Sequence, residues 1–251
     1  MEEKIKTTKN LRISIGIPCF SGLAPEFFSS FMSAWNVLNY HQIADIYHIK
    51  TKVDEYGKIA DCEKIQISFG DENNNLKIFL HLIPRTQNHH ARNIIIEQAL
   101  EYDSDYLIMV DDDMVLNPDT FVHMINVMED FLELDILGML AFKRGEPYTP
   151  VGYIWQQGTL SVIDVNRDKK GLVECDAVGF GAVIIRGRLL EQMSPPWCLV
   201  DDLYRGSDIY LCHRARAEFG AKIAIDTTHE VGHIGAGKTV GSEDYYNYYK
   251  R

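Results

Sequence analysis

Positive charge is scarce in this sequence: 25 Lys and Arg stand against 36 Asp and Glu, a formal net charge of -11. A chain so acidic lacks the basic footprint for unaided binding to DNA or RNA, whose backbone affinity comes from Lys and Arg. An anionic substrate would need a metal ion or a local basic patch. Cysteine is sparse too. Cys19, Cys62, Cys175, Cys198 and Cys212 are odd in number, widely spaced and form no CxxC pair. That pattern points to a reducing compartment and not to a disulfide framework. No apolar run approaches the length of a membrane span. The opening residues, MEEKIKTTKN, are charged and have no apolar stretch. Neither a signal peptide nor a membrane helix is expected, and the expected location is cytoplasmic. Internal repeats, low-complexity tracts and clear flexible linkers are missing. At 46% hydrophobic and 24% charged, the 251 residues suit one large domain with a sizeable core.

The first strand candidate is Arg12 to Pro18, RISIGIP, punctuated by Pro18 and Gly22. A helix is predicted from about Pro25 to Tyr40, with Pro25 in the first turn. Strand-like segments follow at Asp45–Lys52, Lys64–Phe69 and Lys77–Ile83, and turn chemistry at Asp71–Asn75 makes the last two a candidate hairpin. His90–Tyr102 has helical apolar spacing. Tyr106–Val110, YLIMV, reads as a buried strand, with a helix from Asn117 to about Leu134 after it and a strand at Ile136–Phe142. Val151–Val165 reads as strand and turn, Cys175–Arg186 as a glycine-containing bend and strand, Asp208–Phe219 as a helix closed by Gly220, and Lys222–Thr227 as a strand. Alternating strands and helices indicate an α/β fold with a mostly parallel sheet.

The chemistry centres on Asp111-Asp112-Asp113, directly after the apolar Tyr106–Val110. Three adjacent carboxylates repel each other, and burying them without a cation is costly. Open α/β sheets bind ligands at the carboxyl ends of their strands. Hard oxygen ligands in such a place suit Mg²⁺ or Mn²⁺. The bland alternative, an acidic solvated loop, fits poorly with so apolar a strand and so abrupt a stop. Asp111-x-Asp113-x-Val115 also fits the haloacid-dehalogenase-like phosphatase pattern, in which the first Asp is a nucleophile. That strand usually opens its domain, however, and here 110 residues precede Asp111. Asp201-Asp202, the pair that could pose as the later acidic motif, follows Pro195-Pro196-Trp197, a poor strand run-in.

Taken in order, IGIPCF at 15–20, Ala91-Arg92-Asn93, Asp111-x-Asp113, GFGAVIIR at 179–186, and Gly206-Ser207-Asp208 with Arg214 and Gly220 resemble GT-A-type glycosyltransferases, in particular their large inverting family. The resemblance runs through nearly the whole chain. It implies a GT-A fold, a Rossmann-like sheet flanked by helices. Residues to about 145 would form the nucleotide-sugar-binding half and 146–251 the acceptor half. Pro18, Cys19 and Phe20 would end the first strand at the nucleotide pocket. The DxD motif would hold the metal through Asp113 and Asp111, while Asp111 or Asp112 could instead touch the ribose. Arg92 would contact base or phosphate, or else be an exposed helix arginine. Gly181 lies in the segment flanking the acceptor. Asp208 is the candidate general base, against the alternative of a helix cap. Ser207 departs from the family pattern, which commonly has an acidic residue there.

His229-Glu230-Val231-Gly232-His233 matches the HExxH zinc-protease signature, which needs both histidines on one helical face. The strand-like KIAIDTT before it and the glycine-rich IGAG after it oppose a helix, and no third histidine follows at the metzincin spacing. The resemblance instead implies a late histidine on the metal, with His233 the first choice and His229 the second. A histidine satisfied inside the core competes with both. Trp197 could line an acceptor pocket or sit in the core. GAGKTVG at 235–241 fails the P-loop spacing and suits a loop closing over the donor, with Lys238 near the phosphates.

The sequence therefore predicts a Mn²⁺- or Mg²⁺-dependent, inverting glycosyltransferase, with a retaining one as the alternative, using a UDP- or GDP-sugar and an unidentified acceptor. A metal-dependent hydrolase and a non-catalytic nucleotide-sugar binder are the alternatives.

Overall fold

The computed structural model describes residues 10–19, 23–38, 45–47, 51–53, 59–62, 66–68, 77–84, 86–166, 170–200, 206–235 and 237–249. Phe20, the Asp71–Asn75 turn and Asp201-Asp202 lie outside them.

The chain begins with β1 (Arg12–Cys19) and α1 (Pro25–Leu38). Short strands β2 (Asp45–Tyr47), β3 (Thr51–Val53), β4 (Ile59–Cys62) and β5 (Gln66–Ser68) lead to β6 (Lys77–Pro84). β5 and β6 pair antiparallel, as the hairpin reading expects. Next come α2 (Asn88–Glu101), β7 (Tyr106–Val110), β8 (Met114–Val115), α3 (Thr120–Asp130) and β9 (Ile136–Leu140). The second half contributes β10 (Gly152–Gln156), β11 (Thr159–Val162), β12 (Leu172–Cys175), β13 (Ala177–Val178), β14 (Ala182–Arg186) and α4 (Gly187–Gln192). It finishes with α5 (Ser207–Phe219), β15 (Ile223–Glu230), β16 (Gly232–Ile234), β17 (Thr239–Val240) and α6 (Ser242–Tyr249).

Nine strands form the central sheet in the order β12-β15-β9-β14-β7-β1-β6-β5-β2. β1, β2, β6, β7, β9 and β15 point one way, and β5, β12 and β14 the other. The expected α/β architecture is therefore present, with one antiparallel strand, β14, set between β7 and β9. Both faces are covered, so alternate residues of one strand feed different cores. Tyr106, Ile108 and Val110 of β7 join the α1/α3 side with Phe27, Phe31 and Phe121. Leu107 and Met109 join the α2/α4/α5 side with Ile95, Leu189 and Leu211. Each such side chain adds about 1.5–3 kcal/mol when fully buried. Gly16 of β1 lies directly under α2, where a Cβ would come within 2.2 Å of Ile95.

Several boundaries differ from expectation. α3 starts at Thr120 instead of Asn117, because Asn117 and Thr120 close a backbone turn and the Asn117 amide donates to the Glu230 carbonyl. Regular strand geometry in β9 stops at Leu140, and Phe142 makes only an isolated bridge to Pro150. β15 runs on to Glu230. The C-terminal residues Ser242–Tyr249 are helical, with the Tyr245 ring 5.5 Å from that of Phe142 and tilted to it.

Candidate active site

The strands pointing one way bring Cys19, Val110, Leu140 and Glu230 to the same edge of the sheet. The aspartate triplet begins there. Asp111 N–H donates to the Gly181 carbonyl at 3.0 Å, and Met114 N–H to the Asp111 carbonyl at 3.2 Å. That turn reverses the chain and divides the side chains of Asp111 and Asp113 between two neighbourhoods.

Asp111 faces Arg92. Arg92 Nη2 donates to both Asp111 oxygens, at 2.9 and 3.0 Å, and Nη1 donates to Ser207 Oγ at 2.8 Å. The Arg92 guanidinium also stacks on Phe180, 5.3 Å from the ring centroid. Burial pushes the Asp111 carboxyl up, and the Arg92 charge opposes that. Burial works against the Arg92 charge as well, but Asp111 and Asp208 outweigh it and raise its pKa. Arg92 is not an exposed helix arginine. It is 5% exposed and joins the strand end to the start of α5. Its neighbour Asn93 clamps the Cys198 backbone, donating to its carbonyl at 2.7 Å and accepting its N–H at 2.9 Å.

Asp113 faces His233. β8 and β16 pair antiparallel with Met114 opposite His233, and Ile234 N–H donates to the Asp113 carbonyl at 2.8 Å. His233 Nδ1 lies 2.8 Å from the Phe142 carbonyl oxygen, an acceptor only, so Nδ1 carries the hydrogen. In the neutral ring, Nε2 then presents its lone pair 3.3 Å from Asp113 Oδ2. Two acceptors so placed repel unless a proton or a metal ion lies between them. A hard oxygen and an imidazole nitrogen oriented through its other nitrogen fit Mn²⁺ or Mg²⁺. Arg144, which sequence reasoning missed, is a third member, with Nη1 3.1 Å from the same Oδ2. Burial opposes the charge of Asp113, but the hydrogen bond and charge that His233 supplies in its protonated form, together with the charge of Arg144, bring the Asp113 pKa below the ordinary carboxylate range. Among the described residues no three His, Cys, Asp or Glu converge on one point. A cation here would complete its shell with ligand oxygens and water.

Asp112 lies near Cys19, whose thiol is pushed up to about 12 by burial and by the Asp112 charge. The end of β1 therefore lies beside the triplet. Asp208 sits in the first turn of α5 but is not its cap, because Gly206 holds that position. Its Oδ1 accepts the Ile209 N–H at 2.9 Å, and a Cβ on Gly206 would come within 2.5 Å of that oxygen. Gly181 is tight against Met114, with 2.9 Å from a built Cβ to the sulfur.

The remaining candidates lie elsewhere. His229 packs on His123, ring centroids 4.5 Å apart, and Nε2 is 3.0 Å from Thr120 Oγ1. It therefore faces α3 while His233 faces Asp113, and the two do not form a zinc pair. Trp197 is 8% exposed and donates Nε1–H to the Leu190 and Met193 carbonyls, which makes it core. Lys238 pairs with Asp244 and lies over Tyr148, 4.9 Å from the ring centroid. No described helix is long and apolar enough to cross a membrane.

No family model matches the chain, and the comparison with curated proteins gives no match. Solved structures do resemble it. The crystal structure of A197 from STIV matches with a TM-score of 0.58 at 15% identity, over 93% of this chain and 92% of that one. The crystal structure of GalNAc-T7 with UDP, GalNAc and Mn²⁺ matches with a TM-score of 0.53 at 13% identity, over 89% of this chain and 43% of that one. This chain thus spans less than half of the GalNAc-T7 chain. The fold is of GT-A type.

Proposed function

We propose that this protein is a glycosyltransferase acting on a nucleotide-diphosphate sugar, with Asp113 and His233 as the seat of a divalent cation. The observation carrying this reading is the locked His233 ring, which aims Nε2 at Asp113 beside the carboxyl end of β7. GalNAc-T7, with the same fold, was crystallised with UDP and Mn²⁺, which supports it. Mn²⁺ or Mg²⁺ held there supplies neutralisation of the charge that builds on the leaving diphosphate.

The chain's own residues supply the rest. Asp208 takes the proton from the acceptor hydroxyl as its oxygen bonds to the anomeric carbon. The bond from that carbon to the diphosphate breaks on the opposite side, the nucleoside diphosphate leaves, and the anomeric centre inverts. Arg92 keeps Asp111 and Ser207 together and so fixes the strand end relative to the α5 turn that presents Asp208. Pro18, Cys19 and Asp112 border the nucleotide. Gly181 keeps the acceptor-side wall close to Met114. The hydrolase alternatives lose support. Both Asp111 oxygens are engaged by Arg92, which suits no nucleophile, and His229 and His233 face apart.

A thermal-shift series with UDP-, GDP-, CMP- and dTDP-sugars tests the reading. Ligand at 100 times its Kd stabilises by about 2.7 kcal/mol, roughly 5–10 °C in Tm for a chain of this size. The expected result is such a shift with a UDP- or GDP-sugar, dependent on Mn²⁺ and lost in Asp113→Asn. No Mn²⁺-dependent shift with any donor would overturn the assignment.

A further inference from the structure

Asp113 Oδ2 is shared. His233 Nε2 approaches it to 3.3 Å and Arg144 Nη1 to 3.1 Å. The two partners differ in how firmly they are held. His233 belongs to a strand and is tied to Phe142. Arg144 sits at the exposed tip of the turn after β9, and its side chain is 60% exposed.

The base of that turn is fixed. Phe142 bridges Pro150, Lys143 N–H donates to the Thr149 carbonyl at 2.9 Å, and Tyr148 N–H to the Gly145 carbonyl at 2.8 Å. A guanidinium on such a tip can swing without disturbing the fold. Other cations border the same turn: Lys143 lies over Tyr153, 5.7 Å from the ring centroid, and Lys238 over Tyr148. In a chain of net charge -11, Arg144 sets a cation directly against the aspartate triplet.

We propose that Arg144 is a mobile diphosphate-binding residue. It competes with the divalent cation for Asp113 Oδ2, and cation binding turns it toward the donor's diphosphate. This rests on the reading of Asp113 and His233 as the cation seat. A cation entering between Nε2 and Oδ2 takes the oxygen that Arg144 uses and repels the guanidinium. The planar fork of Arg matches two phosphate oxygens at once. The exchange keeps every charge paired: carboxylate with guanidinium first, then carboxylate with metal and guanidinium with phosphate.

The test measures two affinities in wild type, Arg144→Ala and Asp113→Asn: Mn²⁺ alone by EPR, then UDP and GDP by calorimetry with Mn²⁺ present. Arg144→Ala should bind Mn²⁺ about two- to fivefold more tightly, the scale of one exposed ion pair removed as competitor. It should bind the preferred nucleotide about tenfold more weakly, having lost a charge-assisted contact. Asp113→Asn should lose Mn²⁺. If Asp113→Asn loses Mn²⁺ while Arg144→Ala leaves either affinity unchanged or moves it the other way, the proposal about Arg144 fails and the cation seat stands. If Asp113→Asn keeps Mn²⁺, or wild type binds neither nucleotide, the cation seat fails and the Arg144 proposal with it.

Discussion

Arg92 Nη2 donates to both carboxylate oxygens of Asp111, at 2.9 and 3.0 Å, beneath the ring of Phe180. The Arg92 side chain is 6% exposed and that of Asp111 23%. Removing one partner of a buried pair leaves an uncompensated charge and costs about 3–5 kcal/mol. Arg92→Ala should therefore lower stability by that order in urea denaturation, and Arg92→Met combined with Asp111→Asn should recover much of it. A stable Arg92→Ala protein would mean that the pair does not organise the strand end.

Asp208→Asn should separate chemistry from folding. The amide oxygen can still accept the Ile209 N–H that Asp208 Oδ1 accepts at 2.9 Å. Loss of a general base costs about 10²–10⁴ in rate. The expected outcome is transfer reduced by that factor, with Tm and donor affinity near wild type. Full activity in Asp208→Asn would remove it from the reaction.

His123 and Asp226 give an acid-side signature. Burial opposes the Asp226 charge, but hydrogen bonds from His123, at 2.7 Å, and from Thr228 bring its pKa below the usual value. A depressed carboxyl pKa adds stability above the unfolded value, and that stability fades as pH falls through the folded one. Asp226→Asn should be less stable than wild type near pH 7, by about 1.5–3 kcal/mol. The gap should close below about pH 4. A gap independent of pH would assign the effect to shape and not to charge.

Four thiols should be silent in the native protein. Cys19, Cys175, Cys198 and Cys212 are buried, and burial pushes the first three up to about 12 and Cys212 well above its ordinary value. Reactivity needs the thiolate. A thiol-specific disulfide reagent at pH 8 should find these four slow in native protein and all five cysteines reactive after unfolding. Two or more fast thiols would contradict the packing around the sheet.

What could be read in the sequence was local. The apolar run of β7, the helical spacing of α2 and the glycine after α5 each depend on neighbouring residues alone, and Gly220 does take the left-handed conformation, with φ at +67°. The antiparallel insertion of β14 between β7 and β9 could not be read, because strand order is set by pairing between distant segments. The same limit hid Arg144, which meets Asp113 through a turn 31 positions further along with no motif of its own. Arg92 carried a recognisable motif, but its partner Ser207 lies 115 residues away, and only burial shows that it is internal. Lys238 looked open because Asp244, six positions on, reaches it only through the turn before α6. The sequence ranked His233 before His229, but what each ring faces emerges only in three dimensions. The irregular step at Val231 between β15 and β16 turns the two rings toward different partners.

The most direct measurement is pulsed EPR of protein-bound Mn²⁺ in the presence of UDP or GDP, read for coupling to a directly coordinated imidazole nitrogen. A histidine nitrogen signal is predicted in wild type and in His229→Ala, and none in His233→Ala. A signal that survives in His233→Ala, or that vanishes in His229→Ala alone, would contradict the pairing of Asp113 with His233 around the cation.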